Sequence, residues 1–299
     1  MKILITGGTV FVSRYAARWF AQRGYDVFVL NRGTRPQEEG VSLIRADRHK
    51  LGGALKQHSF DAVLDICGYN QQDINSLLDG LGEFGEYVFV SSSAVYPETL
   101  PQPFREDMPT GENAVWGKYG TDKLAAERTL LERCPQAYIL RPPYLYGEMQ
   151  NLYREPFVFE CAEKGRAFFV PKDGEMKLQF FYVGDLCRLM ERLITDRPTP
   201  HILNVGNREG CSINEFVRLC YEAAGAKLRT VNVYNHPNQR DYFSFYDYQY
   251  MLDVGRMSEI LPELTPLSEG IKRSYEWYKA HRKEVPRRGY IDFIDGTLK

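Results

Sequence analysis

Lys2-Ile3-Leu4-Ile5-Thr6-Gly7-Gly8-Thr9-Val10-Phe11-Val12-Ser13 places a short apolar strand directly before two glycines. The stretch that follows, 14–23, carries Ala16, Ala17, Phe20 and Ala21 at the spacing of one helix face, and Gly24 closes it. A strand that turns through glycine into a helix leaves the first helical N–H groups unpaired and aims the positive end of the helix dipole at the turn. That geometry suits a phosphate. In the dinucleotide-binding form of the turn, glycines serve the tight bend, the close approach of a pyrophosphate and helix–strand packing. Gly7 fills the first of these places with Gly8 beside it, while Val10 and Ser13 stand at the second and third. Ser13 is small, but Val10 brings a branched side chain to the pyrophosphate path. The turn predicts dinucleotide contacts from Gly7, Thr9, Val10, Phe11 and Val12.

Further along, apolar runs at 26–30, 42–44, 60–66, 87–90 and 137–140 alternate with helical stretches at 72–81 and 115–134. Strands whose apolar residues run on without alternation belong to a parallel sheet covered on both faces. After Gly147 the pattern changes. Helices are expected at 155–164, 185–195, 213–224 and 267–281, with short strands within 165–171, at 180–183 and at 202–205. The segment 234–250 is dense in Tyr and Phe and has no period. The expected fold is α/β, a doubly wound parallel sheet of Rossmann type with a smaller interleaved C-terminal lobe. Residues 1–147 form the dinucleotide-binding domain and 180–206 rejoin it. Residues 148–179 and 207–299 form the substrate lobe.

Composition narrows the function classes. In 299 residues, Lys+Arg 38 against Asp+Glu 39 leave a net charge of -1, so no basic excess argues for nucleic acid. No apolar run approaches the roughly 20 residues of a membrane span. Six cysteines (Cys67, Cys134, Cys161, Cys187, Cys211, Cys220) make no Cys-x-x-Cys pair and no group with His at metal-ligand spacing. Reduced thiols, no metal and a start without a basic-then-apolar leader predict a cytoplasmic protein.

The chemistry sits in Tyr119-Gly-Thr-Asp-Lys123. Four residues apart on a helix, the two side chains share a face one turn apart. A phenol with an unperturbed pKa of about 10 is a poor acid or base at neutral pH. An ammonium beside it favours the phenolate. Upstream lies a hydroxyl-rich strand end, Ser91-Ser92-Ser93-Ala94-Val95-Tyr96. Together with the glycine turn, these residues indicate redox chemistry on a nucleotide cofactor. The second strand ends in Leu30-Asn31-Arg32-Gly33, with no acid to accept from an adenosine ribose. Arg32, assisted by Arg14 and Arg35, favours the 2′-phosphate of NADP over NAD.

These residues resemble the extended short-chain dehydrogenase/reductase superfamily, the NAD-dependent epimerase/dehydratase family, over nearly the whole chain. Thr6–Ser13 is similar to that family's Thr-Gly-x-x-Gly-x-x-Gly turn with two substitutions. Leu140-Arg141-Pro142-Pro143-Tyr144-Leu145-Tyr146-Gly147 is similar to its Leu-Arg-Pro-x-x-x-Tyr-Gly segment beside the nicotinamide. Phe181-Tyr182-Val183-Gly184-Asp185-Leu186 and Asn204-Val205-Gly206 match segments of its second half. The Gly-Gly-Thr-x-Phe-Val turn, the Asn-Arg-Gly and Gln179-Phe180 look like a branch that includes chloroplast stem-loop-binding proteins and bacterial reductase-like proteins.

The resemblance implies roles. Tyr119 is the acid/base, Lys123 tunes it and binds the nicotinamide ribose, and Ser92 bonds the substrate oxygen. Asp47 lies at the adenine, and Arg48 beside it contacts the cofactor. Ile66, Cys67 and Gly68 run along the cofactor by backbone contacts, and Ser91, Pro142 and Tyr144 complete its site. Ser93, Tyr144, Asn151 and Gln179 face the substrate. Asp65 is a paired structural carboxylate, and Asp185 caps a helix. Dehydratases of the family carry Asp-Glu after the catalytic hydroxyl. Here Ser93-Ala94 stand there, which favours an epimerase or reductase on a UDP- or dTDP-sugar. Helix pairing in the superfamily implies a homodimer. A dinucleotide-binding regulator or RNA-binding protein on the same fold is the competing reading.

Overall fold

A computed structural model describes residues 1–299. In chain order the elements are β1 (Lys2–Thr6), α1 (Phe11–Gln22), β2 (Asp26–Asn31), β3 (Val41–Arg45), β4 (Phe60–Asp65), α2 (Gln71–Gly80), β5 (Phe84–Val90), α3 (Lys118–Arg133) and β6 (Tyr138–Arg141). They continue with β7 (Tyr144–Tyr146), α4 (Glu155–Glu163), β8 (Phe168–Pro171), β9 (Lys177–Leu178), β10 (Phe180–Tyr182), α5 (Val183–Asp196) and β11 (Ile202–Asn204). The last are β12 (Cys211–Ser212), α6 (Ile213–Ala223), β13 (Thr230–Val233), α7 (Gly255–Ile260) and α8 (Leu267–His281).

The chain folds as two compact units. The first comprises Met1–Pro143, Val183–Gly206 and Leu252–Leu264. Its sheet has seven strands in the order β11-β6-β5-β4-β1-β2-β3, and every pairing is parallel. Apolar runs explain this layout: Ile3, Leu4 and Ile5 are fully buried, as are Ala62, Val63 and Leu64 beside them, because helices cover both faces. Strand order reverses between β1 and β4, and in sheets of this kind the crevice beyond the strand ends at that reversal takes the ligand.

The second unit comprises Tyr144–Tyr182, Asn207–Met251 and Thr265–Lys299. It contains three two-stranded pairs, β7 with β10, β9 with β12, and β8 with β13, around an aromatic core. Phe180 stacks on Phe216 at 5.0 Å, and Tyr144 meets Phe245 edge-on at 4.8 Å. The unperiodic aromatic segment is therefore core: Tyr242, Phe243, Phe245 and Tyr250 are buried. The unit boundaries differ from the expected ones in three places, the first being that Tyr144–Gly147 belongs to the second unit. Phe180–Tyr182 pairs with β7 in the second unit, and Leu252–Leu264 returns to the first, where Leu252 bridges Phe104. Asp185 is inside the first turn of α5 rather than its cap, bonded to Arg188 at 2.9 Å. The six cysteines form no disulfide, and no helix is long and apolar enough to cross a membrane.

Candidate active site

The glycine turn adopts the conformation its residues allow. Gly7 and Gly8 take φ of +91° and +86°, and neither has room for a side chain. A Cβ on Gly7 would stand 2.6 Å from Cys67 Sγ, and one on Gly8 would stand 2.5 Å from Val29. Val10 is extended, at φ −140°, so the backbone asks for no glycine there. Phe11 begins α1 at φ +33°. Ser13, at the third glycine place, is buried and donates to Val10 O at 3.0 Å. Helix α1 starts with no side-chain cap and no acid in its first turn, so its amides and dipole remain available to an anion. Thr9 and Val12 flank this start half-buried. The turn fits a dinucleotide pyrophosphate.

Around the turn, several expected cofactor contacts prove to be bonded within the protein. Asn31 donates to Gly7 O at 2.6 Å and Gln37 Oε1 at 2.9 Å, and accepts from Gly33 N at 2.8 Å. It ties the end of β2 to the turn. Arg14 is paired with Glu38 at 2.5 Å and Arg18 shares that carboxylate at 3.2 Å, so Arg14 is not the free cation expected. Arg32 and Arg35 are exposed. Asp47 is exposed too, and the backbone N–H of His49 holds its carboxyl below the usual range. Arg48 is bound bidentately by Asp65, at 3.2 and 3.0 Å, and donates to Asp73 O. The backbone N–H groups of Ile66 and Cys67 both donate to Thr6 Oγ1 at 3.0 Å. Burial pushes the Cys67 thiol up, which removes it as a nucleophile.

Ser91 also has another task. Its hydroxyl donates to Glu127 Oε1 at 2.5 Å, and Arg141 grips the same carboxylate at 3.0 and 2.6 Å. Arg141 also donates to Tyr96 OH at 2.8 Å. Glu127 lies on α3, four residues past Lys123, so this buried network fastens that helix to the ends of β5 and β6. Backbone bonds extend the same seam, Ser91 N to Leu140 O at 2.7 Å and Ser93 N to Pro142 O at 3.0 Å.

Ser92 ends the seam. It is buried, and its Oγ accepts from Ala94 N at 3.2 Å across the single turn Ser93–Val95. Helix α3 packs onto that turn at Gly120, where a Cβ would stand 2.4 Å from Ala94 O. Only a glycine lets the helix come so close, and it lies between Tyr119 and Lys123. The helix begins at Lys118 rather than at 115 as the spacing predicts. Asn113 explains the delay: its Oδ1 takes the N–H groups of Val115 and Trp116, its Nδ2 donates to Tyr96 O, and Gly117 then turns at φ +51°.

On this helix Tyr119 is 43 % exposed while Lys123 is 2 % exposed. Lys123 Nζ donates to Gly68 O at 2.6 Å and Val90 O at 2.8 Å. Burial lowers its pKa to about 8, against the pull of Asp65, so the amine is mostly an ammonium at neutral pH. A buried cation thus sits one turn below an accessible phenol.

The remaining expected residues belong to the second unit. Tyr144 is buried there, its hydroxyl pushed up to about 12 by burial, with the Arg154 guanidinium 5.0 Å over its ring. Gln179 is buried and donates to Asn207 O at 2.7 Å, which gives it a structural task. Asn151 is half-buried before α4. Gly120, Asn113 and Glu127 escaped the sequence reading. The spacing Tyr119-x-x-x-Lys123-x-x-x-Glu127 was the signal available for Glu127, and an isolated glycine within a helix was the signal for Gly120.

The model of the NAD dependent epimerase/dehydratase family matches residues 3–206. The chain belongs to that family. Chloroplast stem-loop binding protein of 41 kDa b from Arabidopsis thaliana is 26% identical over 302 residues, covering 92% of this chain and 78% of that one. The dTDP-4-dehydro-6-deoxy-D-allose reductase of Streptomyces bikiniensis is 25% identical over 328 residues, 94% of this chain and 97% of that one. Among solved structures, the UDP-glucuronic acid 4-epimerase of Bacillus cereus, in complex with UDP-glucuronic acid and NAD, superposes with a TM-score of 0.73 at 18% identity. That likeness covers 94% of this chain and 99% of the other, and it shares the fold.

Proposed function

We propose that the protein is an NAD(P)-dependent epimerase or reductase acting on a hydroxyl or carbonyl carbon of a nucleotide sugar, a UDP- or dTDP-sugar. One observation carries the reading: the buried Lys123 ammonium, gripped by two carbonyls, lies one turn from Tyr119 on a helix that Gly120 seats against the Ser92 turn. The family and the named activities of its relatives support the substrate class.

A bound nicotinamide dinucleotide would supply the hydride acceptor and donor. Gly7, Gly8 and the amides of Thr9 to Val12 would hold its pyrophosphate, with Asp47 at the adenine. Tyr119 exchanges a proton with the substrate oxygen, Lys123 favours its phenolate, and Ser92 bonds the same oxygen. Ser93 and Ala94 bring no second acid, so water elimination is not supported. NADP is favoured over NAD through exposed Arg32 and the missing acid at Asn31.

Replacing Tyr119 by Phe should lower turnover at least about a hundredfold on the accepted sugar nucleotide. Native mass spectrometry should find a dinucleotide on the purified chain. Undiminished turnover in the variant would remove the mechanism. The likeness to a stem-loop binding protein motivates a second reading, RNA binding on the same fold. Retention of stem-loop RNA at physiological salt, with no activity on any sugar nucleotide, would favour it.

A further inference from the structure

Asp65 is a buried carboxylate that the proposed chemistry leaves without a task. It ends β4 with no exposure and accepts from four groups: Thr6 Oγ1 at 2.8 Å, Tyr87 OH at 2.8 Å, and Arg48 Nη1 and Nη2 at 3.2 and 3.0 Å. Thr6 in turn takes the N–H groups of Ile66 and Cys67, which bends the chain immediately past β4. At the end of that bend Gly68 presents its carbonyl to Lys123 Nζ. A Cβ on Gly68 would stand 2.8 Å from Asp65 Oδ2, so the carboxylate lies directly beneath the lysine's acceptor.

Besides burial, four titratable groups act most strongly on Lys123. Asp65 comes from β4, Cys67 from the segment after it, Glu127 from α3 and Arg48 from the loop after β3. The rings of Tyr69 and Phe89 lie 5.0 and 4.9 Å from Nζ. The two direct acceptors are neutral carbonyls. Glu127 is committed to Arg141 and Ser91. We propose that Asp65 is a positioning residue, which keeps Lys123 charged and in place by countering its burial and by shaping the 65–68 backbone that grips it. Arg48 then stabilises that carboxylate in place of reaching the cofactor, which explains its inward turn. Asp65 also joins the glycine turn, through Thr6, to the catalytic helix, through Gly68.

The inference rests on the placement of Lys123 in the proposed function, but its test reads no turnover. The Lys123 Nζ signal is followed by NMR in the full chain and assigned with Lys123→Met. It should titrate near 8 in the parent protein. In Asp65→Asn it should move down, by on the order of one unit. That variant leaves a buried guanidinium without its carboxylate, so Asp65→Asn combined with Arg48→Gln provides a second, charge-balanced test. It should move Lys123 the same way by less. A Lys123 titration unmoved in a folded single or double variant overturns the proposal. A protein inactive on every sugar nucleotide would still report on Asp65, so the two failures are distinguishable.

Discussion

Gly120→Ala tests the placement of α3, and with it the proposed role of Tyr119, most directly. In an ordinary helix interior this change stabilises by roughly 0.5–1 kcal/mol, because alanine loses less backbone entropy. Here the added carbon would stand 2.4 Å from the Ala94 carbonyl oxygen, whereas ordinary contact begins at 3.4 Å. The obstacle is backbone in a bonded turn, not a flexible side chain, so the helix must withdraw by about 1 Å. Overpacking of this kind costs typically about 1–3 kcal/mol, which outweighs the propensity gain. A withdrawal of about 1 Å carries Tyr119 away from Ser92, and misplacement on that scale can lower turnover about a hundredfold. Urea unfolding followed by circular dichroism measures the first effect, and turnover with saturating cofactor measures the second. A variant that gains stability and keeps full turnover would refute the account of how α3 is seated.

Three other outcomes are expected. Glu155 is fully buried, and burial pushes its carboxyl from 4.5 up to about 7. A raised acid pKa makes the folded state bind the extra proton, so stability falls as pH rises from 4.5 to 7 and is flat above. Glu155→Gln should therefore be near neutral at pH about 4.5 and stabilising by about 3 kcal/mol at pH about 8, read from hydrogen exchange of the α4 amides. Glu127→Gln leaves Arg141 buried without its anion and should cost about 3 kcal/mol or more in urea unfolding. Arg32→Glu should shift dinucleotide preference toward NAD, seen as weaker NADPH binding by fluorescence titration with NADH unaffected or tightened.

Much of the first unit was legible because its signals are local. Unbroken apolar runs became the buried parallel strands, and β1 runs over Lys2–Thr6 as read. Leu267–His281 likewise followed its helical period. The strands that escaped, β7, β9, β12 and β13, have two to four residues each, too short to carry a period against a background of aromatic core. The start of α3 was misread by three residues because Asn113 captures the amides a helix would have used.

Sequence by itself determined the sheet class, the glycine turn and the shared face of Tyr119 and Lys123. Each depends on residues within one or two turns of one another, where periodicity and backbone sterics decide. Tertiary structure alone decided which polar groups are already taken. Arg48 turns to Asp65, 17 residues away, and Ser91 turns to Glu127, 36 residues away. A buried charge or hydroxyl must find a partner wherever packing brings one, and that distance is set by the fold rather than by spacing in the chain.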